Sequence, residues 1–266
     1  MTSLDAGART CTATDVRLVP ASGGTAYRVA KGPSRAALEG YPNSDVGELP
    51  RGTQDRRGRW DTIGSTVYFA DSPQTAFAEV LAPLRSNRLR LAVAATRSGY
   101  ASVEEYVGAV LGQSAENNVD QPWAISGRWQ FARSIYHVGM PTDGWWVQID
   151  HADTLQAIQR ALHTTAGLPG DLWSADLENG NRAVTTVIAE HIRSLELDDG
   201  KRPLGIWYQS RTLIGRCYAW WDRRRDDSLG LGGNDPHLEH STNVDTPALR
   251  EVAGRFDLPV LVGKVW

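Results

Sequence analysis

The sequence predicts an α+β domain, and two kinds of pattern carry that expectation. Short apolar–polar alternations mark strands, most plainly at residues 26–30 and 65–70. Apolar residues three and four apart mark helices, most plainly after Ser72 and after Asn181. At 266 residues the chain can bury a substantial core, as one domain or two.

Taken in order, residues 1–14 are rich in Ala, Thr, Asp and Gly and read as a loose terminus. Residues 26–30 place Tyr27 and Val29 on one face of a strand and Arg28 on the other. Residues 32–58 contain Pro33, Pro42, Pro50 and the basic pair Arg56-Arg57, and read as a long loop with one helical turn over 34–38. The strand at 65–70 turns its more apolar pair, Val67 and Phe69, towards a core and leaves Tyr68 facing a cleft. Ser72 then caps a helix that starts at Pro73. Phe77, Val80, Leu81 and Leu84 form its buried stripe, and Glu79 falls opposite, where the wheel alone makes it a solvated carboxylate.

Residues 88–96 alternate Leu89, Leu91, Val93 and Ala95 with other residues, the pattern of a further strand. Within 99–144 only a helix at 103–111 is legible, followed by a passage rich in Trp and Gly. A strand is predicted at 145–150, then a helix from Asp153 or Thr154 with Leu155, Ile158 and Leu162 on one side, ending near Gly167. Residues 181–197 read as the longest helix, with Val184, Ile188, His191, Ile192 and Leu195 on its stripe. A short apolar strand at 204–208 leads into Gln209-Ser210-Arg211, and 259–265 closes the chain as a strand.

Composition narrows the function. A net charge of −3 and a pI near 6.1 give no global attraction to nucleic acid or to an anionic membrane, so neither is expected as a partner. Residues 1–19 hold no apolar run long enough for a signal peptide or a span, which makes the cytoplasm the expected location. Two cysteines, Cys11 in the loose terminus and Cys217, support neither a disulfide framework nor a zinc site. His237 and His240 lie in a Gly- and Pro-rich segment that reads as a loop, without a third ligand at metal spacing, and no metal is expected. Arg223-Arg224-Arg225 precedes Asp226-Asp227 and reads as a neutralised surface turn. His191 reads as a core histidine, and most of the ten tryptophans as core or partner-facing area.

The remaining residues form a combination. Tyr27-Arg28 comes early, Gly58-Arg59-Trp60 precedes Tyr68, Glu79 sits in Thr75-Ala76-Phe77-Ala78-Glu79, and Gly205-Ile206-Trp207-Tyr208-Gln209-Ser210-Arg211 comes late. A ring on a strand followed by a carboxylate on the next helix suits attack on a ribosyl–base bond. Breaking that bond builds an oxocarbenium-like sugar, which a fixed carboxylate stabilises. This combination resembles the RES-domain family, named for an arginine, a glutamate and a serine; the match covers residues 26–84 and 145–218. The resemblance implies a bacterial toxin that degrades NAD at the nicotinamide–ribose bond by hydrolysis or phosphorolysis. NAD is then a substrate, no separate cofactor is needed, and the partner is an antitoxin protein covering the cleft. It implies a fold similar to ADP-ribosyltransferases, with a split, mostly antiparallel β-core and helices around an NAD cleft. It assigns Arg28 to a phosphate of NAD, Arg59 to a second phosphate contact, Tyr68 to stacking on nicotinamide, Glu79 to the ribosyl cation, and Ser210 to completing the pocket, with Tyr27 beside them. The chain would be a single such domain over 15–266, with family-atypical material around 99–144. Two rivals share the cleft: a mono-ADP-ribosyltransferase with a macromolecular acceptor, and a binding protein without turnover. The apolar Phe77, two residues before Glu79, favours a small acceptor over a macromolecular one.

Overall fold

The computed structural model describes residues 7–32, 38–39, 41–42, 58–117, 119, 121–164, 171–178 and 181–261. The expected helical turn over 34–38, the helix end near Gly167 and most of the closing strand lie outside the described residues.

The protein is α+β, built on a mostly antiparallel mixed sheet. Its strands are β1 (Arg9–Thr10), β2 (Arg17–Pro20), β3 (Thr25–Lys31), β4 (Tyr41–Pro42), β5 (Ser65–Ala70), β6 (Arg133–Gly139), β7 (Trp145–Gln148), β8 (Gly205–Gln209), β9 (Arg216–Trp221) and β10 (His237–Asn243). Nine of them run in the order β1-β2-β7-β8-β9-β5-β3-β6-β10, and β4 pairs with β5. Among the named strands of the described residues, only β7 and β8 pair in parallel. The two halves of the sheet meet weakly. β5 pairs with β9 over five positions and β3 with β6 over seven, but β3 and β5 share the single pair Tyr27–Ala70. Beyond it, Arg28 and Val29 on one strand and Tyr68 and Phe69 on the other line a cleft instead of pairing.

The helices are α1 (Pro73–Leu81), α2 (Arg88–Arg97), α3 (Val103–Glu116), α4 (Gly127–Phe131), α5 (Ala152–Leu162), α6 (Ser174–Glu178), α7 (Arg182–Ser194), α8 (Arg223–Asp226) and α9 (Pro247–Arg255). Two apolar clusters cover the two faces of the sheet. The larger joins Phe77 and Leu81 of α1, Ile158 of α5, Ile188 of α7 and Leu249 of α9 to Val29, Ile206 and Trp221 of the strands. The smaller lies on the other face and gathers Val67, Phe69, Tyr136, Trp146, Trp207 and Trp220. Val67 and Phe69 are therefore buried as their pattern predicts. The helix-covered core lies on the Tyr68 side, however, so the face expected to be mainly cleft also carries core.

Several expectations need correction. Residues 88–96 form α2 and not a strand: Asn87 caps it by accepting from the Arg90 N–H, and Ala, Leu and Arg favour a helix. His237 and His240 lie on β10, paired with β6 along its length, and not in a loop. At fourteen residues α3 is longer than α7 at thirteen. The terminus is not loose at Arg9–Cys11: β1 pairs with β2, Arg9 forms an ion pair with Asp198, and Cys11 is fully buried. Cys11 and Cys217 are both free thiols. Among the described residues no helix is long and apolar enough to cross a membrane.

Candidate active site

α1 is anchored at its start. The Ser72 hydroxyl accepts from the Thr75 N–H at 3.2 Å, and the Thr75 hydroxyl donates to Asp71 at 2.8 Å. The other oxygen of Asp71 accepts from the Arg216 N–H at 2.8 Å, which ties the helix to β9. Thr75, Ala76, Phe77, Ala78 and Leu81 are buried beneath it. With those positions fixed, Glu79 projects towards the end of β8. It is half-buried rather than solvated, and its Oε1 accepts from the Ser210 hydroxyl at 2.5 Å. The helical wheel misplaced Glu79 because the polar face of α1 meets another part of the molecule instead of water.

Ser210 is fully buried and is held in turn. Its oxygen accepts from the Thr212 N–H at 3.1 Å and lies 2.7 Å from the Thr212 hydroxyl. Since the single Ser210 proton goes to Glu79, the Thr212 hydroxyl must be the donor in that pair. Ser210 is thus a positioning residue, fixing one carboxylate oxygen. Oε2 of Glu79 takes no hydrogen bond from the described residues and remains available to the cleft.

Tyr68 is locked at its tip. Its hydroxyl donates to Asp61 at 2.7 Å and accepts from the Trp60 N–H at 2.9 Å. The second Asp61 oxygen accepts from the Gly58 N–H at 2.7 Å, closing a small loop around the phenol. A Cβ on Gly58 would stand 2.4 Å from the Tyr68 oxygen, so only glycine fits there. Burial first, and then Asp61, pushes the phenol well above its ordinary pKa and keeps it protonated. The same loop delivers Arg59, only 7% exposed, whose guanidinium lies 5.0 Å over the Tyr208 ring and 5.8 Å over Trp60.

These residues converge. A cleft of about 290 Å³ is lined by Tyr27, Arg28 and Val29 of β3, Gly58 and Arg59, Tyr68 and Phe69 of β5, Glu79 of α1, and Tyr208 and Cys217 of β8 and β9. Five of the six predicted site residues line it, and the sixth, Ser210, supports Glu79 from behind. Arg28 also donates to the Glu39 carbonyl at 2.9 Å. Two further arginines line the cleft: Arg182 at the start of α7, which was not anticipated, and Arg211, which lies on the late motif but was given no role. Arg211 could have been suspected from its place beside Ser210. Arg182 follows the capping residue Asn181, and a cation in the first turn of a helix opposes the macrodipole, a local conflict legible in the sequence. Among the described residues of the lining, four arginines against one glutamate give a formal charge of +3, in a chain whose net charge is −3.

Chemically, the arrangement offers a carboxylate with one fixed and one available oxygen, aromatic rings, and several guanidinium forks suited to phosphate. Among the described residues no group of three His, Cys, Asp or Glu side chains could hold a metal ion. Comparison of the chain with protein-family models, with curated proteins and with solved structures returned no match.

Proposed function

We propose that this protein degrades NAD by cleaving the nicotinamide–ribose bond and passing the ADP-ribosyl group to a small acceptor, water or phosphate. The observation that carries this reading is the Glu79 carboxylate, held by Ser210 at the wall of a cleft whose described lining also carries four arginines and several aromatic rings. The C1′–N bond breaks with its electron pair passing to the nicotinamide ring, which leaves neutral. The positive charge remaining on the ribosyl group faces the second Glu79 oxygen. The acceptor oxygen then bonds to C1′ and loses its proton. Preorganised charge of this kind is worth about a hundredfold or more in rate, because it needs no rearrangement as the reaction proceeds.

Arg28 and Arg59 contact the phosphates, and the tethered Tyr68 ring stacks on the base, with Tyr27 beside it. The weak junction of β3 and β5 supports a split core similar to that of ADP-ribosyltransferases, opened where the substrate enters. Phe77 is fully buried, so the position two before Glu79 presents no group to orient a macromolecular acceptor. That favours a small acceptor over protein modification. The resemblance to RES-domain toxins supports a partner antitoxin that covers the cleft. Incubation with NAD alone, in buffer with and without phosphate, tests the reading. Free nicotinamide should appear in both or in phosphate only, and intact NAD in both would overturn it.

A further inference from the structure

The cleft holds more positive charge than Arg28 and Arg59 supply. Arg182 is half-buried, and its Nη1 is shielded from solvent with no hydrogen-bond partner among the described residues. Arg59 is almost wholly buried, lies over the Tyr208 and Trp60 rings, and donates no hydrogen bond to a described residue. Arg182 and Arg211 line the same cleft. Burial, and after it the neighbouring charges of Arg211 and Arg59, lower the Arg182 pKa; Tyr68 and Asp61 oppose this. Arg182 also sits at the positive end of the thirteen-residue α7. Burial, the neighbouring arginines and the helix end each disfavour the Arg182 guanidinium, and a bound anion offsets all three. A carboxylate would bring one negative charge, whereas the diphosphate of a dinucleotide brings two, against +3 on the described residues of the lining.

We propose that Arg182, together with Arg59 and Arg211, cradles the diphosphate of the substrate, and that Arg182 serves to hold ligand rather than to stabilise the fold. The identification of the anion rests on reading the cleft as a dinucleotide site. Arg182 then sets the substrate class: compounds with the diphosphate are held, and the riboside lacking it is not.

The test compares wild type with Arg182→Ala and Arg182→Lys. Calorimetry measures binding of inorganic pyrophosphate and of ADP-ribose, and a thermal melt is recorded without ligand. Arg182→Ala should bind both ligands about tenfold to a hundredfold more weakly, as expected for a lost charge-assisted hydrogen bond. Its ligand-free Tm should be equal to or above that of wild type, which a structural arginine would not allow. Arg182→Lys keeps the charge without the fork and should fall between the two in affinity. In turnover, Arg182→Ala should raise KM for NAD. Wild-type affinity in the alanine variant, or no binding of either ligand by wild type, would overturn the proposal. A wild type that binds ADP-ribose through Arg182 but releases no nicotinamide would remove the catalytic reading and leave the cradle standing. Nicotinamide release with unchanged KM in Arg182→Ala would do the reverse.

Discussion

α1 and α2 are neighbours in the chain and nearly equal in length, nine and ten residues, yet they are built differently. α1 buries five residues and packs against α9 and β3, whereas α2 buries only Ala95 and packs against α3. On α2, Leu89 is 75% exposed. Both helices are capped by a side chain, Ser72 and Asn87, so local signals start each one. What differs is how far tertiary packing fixes each residue in place. A polar side chain on a well-packed helix has its direction set by its buried neighbours, which is why Glu79 meets Ser210. The apolar side chains of α2 have no comparable constraint, and their alternation carries no information about a sheet.

The contrast gives graded predictions. Phe77→Ala removes a fully buried ring from α1 and should cost about 3–5 kcal/mol in a denaturant melt, with loss of activity. A cost below about 1 kcal/mol would mean that α1 is not the anchored element described here. Tyr68→Phe leaves an Asp61 oxygen and the Trp60 N–H unpaired, and should cost about 1–3 kcal/mol. It should also raise KM for NAD, because the Arg59 loop loses its tether. From the sequence alone, this variant is expected to keep most activity, since stacking needs only the ring. Ser210→Ala should lower kcat about tenfold, or roughly 1.4 kcal/mol in the barrier, with KM little changed, because Glu79 loses its orientation and not its charge. A kcat equal to wild type would remove the positioning role. Leu89→Ala on α2 should change stability by less than about 0.5 kcal/mol; a larger loss would show that α2 is packed against something in solution.

The sequence was informative where one face of an element is buried and the other is not. β3 and β5 follow the period of two, and α1 announces itself through Ser72 and Pro73. It failed where that asymmetry is lost. β9 buries Cys217, Ala219 and Trp221 on one face and Trp220 on the other, so its residues show no alternation. β10 is an edge strand whose residues are mostly exposed, and only its pairing with β6 makes it a strand. β6 lies between β3 and β10 in a stretch that gave no readable period. At the site, the residues on named motifs were legible one by one. The hydrogen bond joining Glu79 to Ser210 spans 131 positions and no local pattern encodes it. Arg182 was legible only as a cation at the wrong end of a helix.

The central claim is that Glu79 stabilises a ribosyl cation in this cleft, and nicotinamide release from NAD by wild type and Glu79→Gln, quantified by chromatography, tests it most directly. Glutamine keeps the size and can still accept from Ser210, so the fold and ADP-ribose binding should persist. Release should fall about a hundredfold or more. Release from Glu79→Gln at the wild-type rate would contradict the account.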